Sequence, residues 1–240
     1  MSCAIAVMAK APRPGLCKTR LVPPLSPGQA AELSAAFLRD MTENLRAAAR
    51  TMPIVPYVAY APAGTEHLFD GVLADGTNLV LADGFIETQQ DVKGFGRCLL
   101  HAVESLFALG HASVCVLNSD SPTLPTRFLR QAASWLAEPG DCAVMGPADD
   151  GGYYLLGMKQ PHAHLFADIS WSTTRVAAET RGRALEAGIE VRELPKWYDV
   201  DDAASLQRLQ NDLSGPPQAL YAAPCTAAWL ASVALSVAAE

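Results

Sequence analysis

Apolar and polar positions follow two rhythms along this chain, and they alternate. Uniformly apolar runs of five to eight residues mark strands buried on both faces, and apolar residues spaced by three and four mark helices. Residues 3–8 (CAIAVM) predict a buried strand, and a Pro/Gly-rich loop follows from Ala9 to Pro27. Ser26 is placed to cap a helix reaching about Arg50, with Leu33, Phe37, Met41 and Leu45 on one face. Residues 54–60 predict a second strand, in which Pro56 points to an edge or a bulge. Residues 78–82 predict a third strand, and 96–109 a helix stopped by Gly110. Residues 112–117 (ASVCVL) are wholly apolar and predict a central strand. A helix from Pro125 to Ala137 and strands at 142–146 and 152–157 come next. Ser172 is expected to cap a helix to about Ala187, before a strand over Ile189–Leu194 and a helix over 201–212.

Strands alternating with helices predict an α/β fold with an open, mostly parallel sheet covered on both faces. Gly215 to Pro217 predicts the end of the compact domain, giving a domain over 1–213. The tail, 214–240, is Ala-rich around Trp229 and Leu230, and is expected to hold a short helix that packs on the domain or forms a homodimer.

Composition narrows the class. Of 240 residues, 50% are hydrophobic and 18% charged, which is enough for a core and excludes a disordered chain. A net charge of −7 argues against a nucleic-acid partner. No window approaches the roughly 18 unbroken apolar residues of a membrane span, and residues 2–8 are too short for a secretory leader. The six cysteines form no C-x-x-C, so a reduced, cytoplasmic protein without a zinc ribbon is expected. His162 and His164 form the only close histidine pair and lack a third ligand nearby, which suits a surface loop.

In open α/β sheets ligands bind beyond the carboxyl ends of the strands, so the loops leaving the strands carry the candidate chemistry. The loop after the first strand places Lys10, Arg13, Lys18 and Arg20 within eleven residues, stiffened by Pro12 and Pro14, with Gly15 allowing close backbone approach. It lacks the G-x-x-x-x-G-K-[ST] of a P-loop, yet suits a di- or triphosphate, Lys acting as point charge and Arg as fork. Lys10, Pro14, Gly15, Lys18 and Arg20 are therefore candidate nucleotide-binding residues. Asp120 directly follows the most apolar strand, where one carboxylate typically serves Mg²⁺; a turn or cap is the alternative. Asp149-Asp150-Gly151-Gly152 suits either a hairpin turn or a place where a sugar or nucleotide approaches the backbone. Asp199 and Asp201 point the same way from an extended segment, Asp201 or Asp202 also suits a helix cap, and Asp199 is the better metal-ligand candidate.

These stretches resemble the bacterial glycosyltransferase-like family called selenodomain-associated transferase 1, within the nucleotide-diphospho-sugar transferase superfamily. The pattern M-A-K-x-P-x-P-G-x-x-K-T-R-L is matched by Met8 to Leu21, G-P-A-x-D-G-G-Y-Y-L-x-G by Gly146 to Gly157, and I-x-W-S-T by Ile169 to Thr173. D-V-D-T-x-x-D-L is partly matched by Asp199 to Leu206, where Asp202 replaces Thr and Ser205 replaces the second Asp. The family's G-T-D-C-P-x-L becomes Asn118 to Leu124 here, keeping Asp120 and Pro122. Its G-D-L-G-x-R-M becomes Asp91 to Arg97, losing the Asp-Leu pair. The first loop also looks like that of the guanylyltransferases of molybdenum and deazaflavin cofactor synthesis.

The resemblance implies a Rossmann-like GT-A fold, a nucleotide or nucleotide-sugar ligand and a divalent metal, Mg²⁺ or Mn²⁺. Nucleotidyl transfer to a phosphorylated small-molecule acceptor would use Lys18 and Arg20 on the β- and γ-phosphates and Asp120 and Asp199 on the metal. Glycosyl transfer would use the same carboxylates and metal on a leaving nucleoside diphosphate, with Asp149 or Asp150 facing the acceptor. Lys18, Asp120 and Asp150 are the catalytic candidates, Gly151 and Gly152 join the nucleotide-binding set, and a nucleotide-binding protein without turnover is the third reading.

Overall fold

The structure, a computed structural model, describes residues 2–84, 92–215 and 220–237. Seven strands form one sheet: β1 (Cys3–Lys10), β2 (Ile54–Ala61), β3 (Asn78–Leu81), β4 (Ser113–Leu117), β5 (Cys142–Pro147), β6 (Tyr153–Met158) and β7 (Glu190–Glu193). Their order is β3-β2-β1-β4-β6-β5-β7, and every pairing is parallel except those of β6, which runs antiparallel between β4 and β5. β4 is central and buried throughout, as its apolar run requires. Between strands lie α1 (Pro27–Ala49), α2 (Phe95–Ala108), α3 (Thr126–Ala137) and α4 (Val176–Glu186); α5 (Ala203–Ser214) and α6 (Pro224–Val237) close the chain.

Alternation along β1 sorts the core. Ile5 and Val7 face α1 and α3, packing with Leu38, Met41, Leu45, Phe128 and Leu129. Ala4 and Ala6 face the other side, with Leu99, Val103 and Leu106 of α2 and Ala184 of α4. A third cluster joins the two ends of the domain: Leu21, Leu33 and Phe37 pack with Tyr198, Val200, Leu206 and Leu209.

α1 starts where the sequence places it, because Ser26 Oγ accepts from Gln29 N while the Gln29 side chain accepts from Ser26 N. Two expectations are corrected. Pro56 does not mark an edge: β2 lies between β1 and β3. β3 first pairs at Tyr57 with Asn78, so the missing Pro56 N–H falls where its neighbour has not begun, and the Asn78 side chain donates to the Pro56 carbonyl instead. Ser172 does not cap α4: its φ is +62°, in a turn, and the helix starts at Val176.

α6 packs on α1. Its first residue is Pro224, and the preceding Ala223 has no side chain to cap it. The Asp40 carboxylate of α1 does so across the interface, accepting from Cys225 N at 3.0 Å and Thr226 N at 2.7 Å. Among the described residues no helix is long and apolar enough to cross a membrane.

Candidate active site

The segment before α5 is laid against the carboxyl ends of the central strands by backbone hydrogen bonds. Trp197 N donates to the Pro147 carbonyl, Asp149 N to that of Trp197, and Val200 N to that of Asp120. Ser121 Oγ donates to the Tyr198 carbonyl at 2.9 Å. These bonds fix the loops that carry Asp120, Asp149–Asp150 and Asp199–Asp201 side by side.

Lys18 is the pin between them. Its ammonium lies 2.7 Å from Asp120 Oδ1 and 3.2 Å from Asp201 Oδ1, and donates to the Val200 carbonyl at 2.6 Å. It also sits 5.1 Å from the centre of the Phe37 ring. Its side chain is only 6% exposed. Lys18 has φ +48° and ψ +36°, a left-handed conformation that costs a non-glycine residue about 1–2 kcal/mol. Three oxygen partners and the burial of the side chain hold it there. All three positions around the ammonium are thus taken by protein atoms, whereas Arg20 is 73% exposed and reaches Asp201 only at 3.9 Å.

The carboxylates outnumber their cations. Burial pushes Asp199 up to about 6, and the charges of Asp150, Asp201 and Asp120 add to the shift. Asp201 is also raised, by burial and by Asp120, against the lowering pull of Lys18 and Arg20. The charge of Asp149 is met by Arg208 at 2.9 Å and Lys196 at 3.7 Å. Arg208 in turn lies 3.9 Å from the centre of the Tyr198 ring.

Two openings flank the pin. A cleft of about 400 Å³ runs from the first loop to the ends of β2 and β3, lined by Lys10, Cys17, Lys18, Arg20, Tyr60, Ala82, Ser119, Asp120 and Asp201. A groove of about 450 Å³ lies on the other side, lined by Arg20, Asp150, Asp199, Asp201 and Asp202.

The expected residues therefore divide. Lys10, Lys18, Arg20 and Asp120 share the cleft; Asp150 and Asp199 lie on the groove behind it. Pro14 and Gly15 sit at the exposed tip of the first loop, with open space around Gly15. Gly151 and Gly152 close the β5–β6 hairpin and line neither opening. A Cβ at Gly151 would lie 2.2 Å from the Thr174 carbonyl oxygen, so the close approach there is made by this chain's own backbone. Asp202 caps α5, accepting from Ser205 N at 2.8 Å. Asp201, weighed only as a cap or a co-ligand, is the second carboxylate on Lys18; the sole sequence signal was its alternation with Asp199. The far wall, from Tyr60 to Ala82, carried no signal at all. Asp91 lies outside the described residues.

Among the described residues no group of three or more His, Cys, Asp or Glu side chains is arranged to hold a metal ion alone. The available donors nevertheless suit a hard divalent cation: all are carboxylate oxygens, and Asp150, Asp201 and Asp120 add their repulsion to the burial that raises Asp199.

A sheet of this order, with one reversed strand beside the central one and an acidic site beyond its carboxyl ends, is the GT-A-like fold of the nucleotide-diphospho-sugar transferases. A protein of Desulfovibrio desulfuricans G20 described as a nucleotide-diphospho-sugar transferase superposes with a TM-score of 0.79 at 27% identity, over 97% of this chain and 95% of its own. Within that fold, the chain belongs to the family DUF2064, described as "Uncharacterized protein conserved in bacteria", which it matches over residues 44–173. Two more distant structures share the fold alone. A cytidylyltransferase of Leptospira borgpetersenii serovar Hardjo-bovis has a TM-score of 0.54 at 12% identity, over 99% of this chain and 96% of its own. The Mycobacterium tuberculosis glucosyl-3-phosphoglycerate synthase, in complex with Mn²⁺, UDP and glucosyl-3-phosphoglycerate, has 0.50 at 13%, over 90% of this chain and 81% of its own. No curated protein matches the sequence.

Proposed function

We propose that this chain is a divalent-metal-dependent transferase, and that its reaction is nucleotidyl transfer from a nucleoside triphosphate to a phosphorylated small-molecule acceptor. The observation that carries this reading is the Lys18 pin. It locks Asp120 and Asp201 at the end of a cleft whose entrance carries the exposed Lys10 and Arg20. An acceptor phosphate oxygen bonds to the α-phosphorus, the bond from that phosphorus to the bridging oxygen breaks, and pyrophosphate leaves. Lys10 and Arg20 hold the triphosphate; Lys18 is the positioning cation that holds the carboxylates in register. Asp120 and Asp199, with Asp150 beside them, would hold Mg²⁺ or Mn²⁺, one or two carboxylates sharing it with phosphate oxygens. When bound, the metal supplies charge neutralisation at the reacting phosphate. The neighbour described as a cytidylyltransferase supports nucleotidyl transfer, and the Mn²⁺ in the glucosyl-3-phosphoglycerate synthase complex supports the divalent metal, which either reaction would use.

Glycosyl transfer from a nucleotide sugar is the second reading, supported by the description of the Desulfovibrio relative. The acidic groove then receives the acceptor, with Asp149 or Asp150 facing it. The Met8–Leu21 and Gly146–Gly157 blocks support a place among the selenodomain-associated transferases 1, and six free thiols support a reducing, cytoplasmic setting. A thermal-shift screen separates the readings. Nucleoside triphosphates with Mg²⁺ or Mn²⁺ are expected to stabilise the chain by about 2.7 kcal/mol at 100 times the dissociation constant. A response to nucleotide sugars alone selects glycosyl transfer; a response to neither rejects both.

A further inference from the structure

The three loops that carry the acidic side chains meet at one uncharged residue. Burial alternates along the segment before α5: Tyr198 and Val200 are buried, whereas Asp199 and Asp201 are half-buried and line the groove. Tyr198 therefore turns inward from the same stretch from which Asp199 turns outward, as successive residues of an extended chain do.

Tyr198 is bonded twice to the loop after β4. Its carbonyl accepts from Ser121 Oγ at 2.9 Å, and its phenol oxygen accepts from Thr123 Oγ1 at 3.2 Å. Both donors are fully buried, and both lie just beyond Asp120 in the chain. The phenol has one proton to give, and it goes to Asp212 Oδ2 of α5 at 2.8 Å. The ring makes a further connection. Arg208 of α5 lies 3.9 Å from its centre, and the same guanidinium donates to Asp149, the neighbour of Asp150, at 2.9 Å. Trp197 stacks against the ring at 5.8 Å.

The phenol thus accepts from Thr123 and donates to Asp212, so it acts on a ligand only through the residues it holds. What it holds is a spacing. Ser121 and Tyr198 are 77 positions apart, and the side chains of Asp120 and Asp199 depend on where these two backbones are fixed. Small divalent cations tolerate little error in ligand position, which is why the partners behind the ligands matter to affinity. We propose that Tyr198 is a positioning residue for the metal carboxylates: its hydroxyl, held between Thr123 and Asp212, sets the separation of Asp120 from Asp199, and its ring steadies the Asp149–Asp150 turn through Arg208. This rests on the divalent-metal reading of the site.

The test titrates the full chain with Mn²⁺, alone and with each of the four α,β-methylene ribonucleoside triphosphates, and reads the bound ion by water-proton relaxation. Tyr198→Phe is expected to weaken Mn²⁺ binding about tenfold, the lower end of what such outer partners contribute. Thr123→Val should do the same, and Thr123→Ser, which keeps the hydroxyl, should bind as the parent chain does. The double variant Tyr198→Phe with Thr123→Val should lose less than the two single losses combined, because both remove the same bond. Tyr57→Phe controls for stability alone. It deletes another buried tyrosine hydroxyl, one that meets His111 at 3.0 Å just ahead of β4, and should leave Mn²⁺ affinity at the parent value. Parent-like affinity in Tyr198→Phe, an equal loss in Tyr57→Phe, or a loss in Thr123→Ser as large as in Thr123→Val overturns the assignment. Failure of the underlying reading shows separately, in a parent chain that binds no Mn²⁺ under any of these conditions, and it removes the positioning role as well.

Discussion

Asp40 and Asp199 are both carboxylates that burial pushes above the ordinary range, and they keep opposite company. Asp40 meets donors: two backbone N–H groups of α6 point at its two oxygens. Asp199 meets its own kind, with Asp150, Asp201 and Asp120 all raising it further. Both pay a desolvation cost, but only the first recovers it from within the chain. The contrast separates a carboxylate that builds the fold from the one proposed here to await a ligand: by the sign of what surrounds it, not by its depth.

The sharpest way to break this contrast is to remove the pin. Lys18→Met leaves Asp120 and Asp201 facing each other without their shared cation. Removing one partner of a buried pair costs about 3–5 kcal/mol; because both aspartates still touch water, about 2–3 kcal/mol is expected here. At about 2–4 °C per kcal/mol for a chain of this size, melting should fall by roughly 4–12 °C. Adding Asp201→Asn should restore part of it. An unchanged melting temperature would mean that the pin is not a structural element.

Next comes Asp40→Ala, which strands two helix N–H groups at once. A loss of about 2 kcal/mol is expected, with faster amide exchange confined first to α6. Asp40→Asn keeps one acceptor and should cost less. Equal exchange in α6 before and after the substitution would refute the capping role.

Asp199→Asn should act in the other direction. A carboxyl whose pKa is raised by folding holds its proton more tightly in the folded chain. Its contribution to stability is therefore greatest below the unfolded value of about 3.9, and is lost as pH rises to about 6. In metal-free protein at pH 7 the amide is expected to be the more stable by about 1 kcal/mol, allowing for the water Asp199 still touches. The difference should vanish at pH 4, while turnover with metal is lost. A less stable amide at pH 7 would place Asp199 with Asp40, among the structural carboxylates.

Asp202 gives the smallest effect and isolates capping from burial. It is exposed, and its bonds to the Ser205 backbone and side chain hold it below the ordinary range. Asp202→Ala should cost about 1 kcal/mol above pH 5, a cost that fades as acid protonates the parent carboxylate. A loss that stays constant down to pH 3 would exclude the charge as its source.

Local physics made much of this legible in advance. The apolar run of β4, the Ser26 capping box of α1 and the cap at the start of α5 depend on neighbours within a few residues, and each leaves a mark in the chain. The first loop was readable as a basic, stiff segment, but not the destination of Lys18, because its partners lie more than a hundred positions away. The same holds for Pro56, whose tolerance depends on where β3 begins, and for Gly151, whose space is filled by Thr174. Helix α4 was misplaced because a Ser before a polar stretch reads as a cap, while Ser172 is turned out in a left-handed bend. Distance along the chain, rather than burial, set the limit.

The pin also sets a timetable. Lys18 and Asp201 are 183 positions apart, and Val200, whose carbonyl the ammonium bonds, is 182 away. During synthesis the first loop leaves the ribosome long before either partner exists. At roughly 5–20 residues per second it waits on the order of ten to forty seconds. Asp120 is made a little past the middle of that interval and can then meet Lys18, but the wall bearing Asp199 and Asp201 is still missing. A nascent chain, or any product that stops before Asp199, therefore carries the basic loop without that acidic wall, and the pin is completed only when the segment leading into α5 arrives.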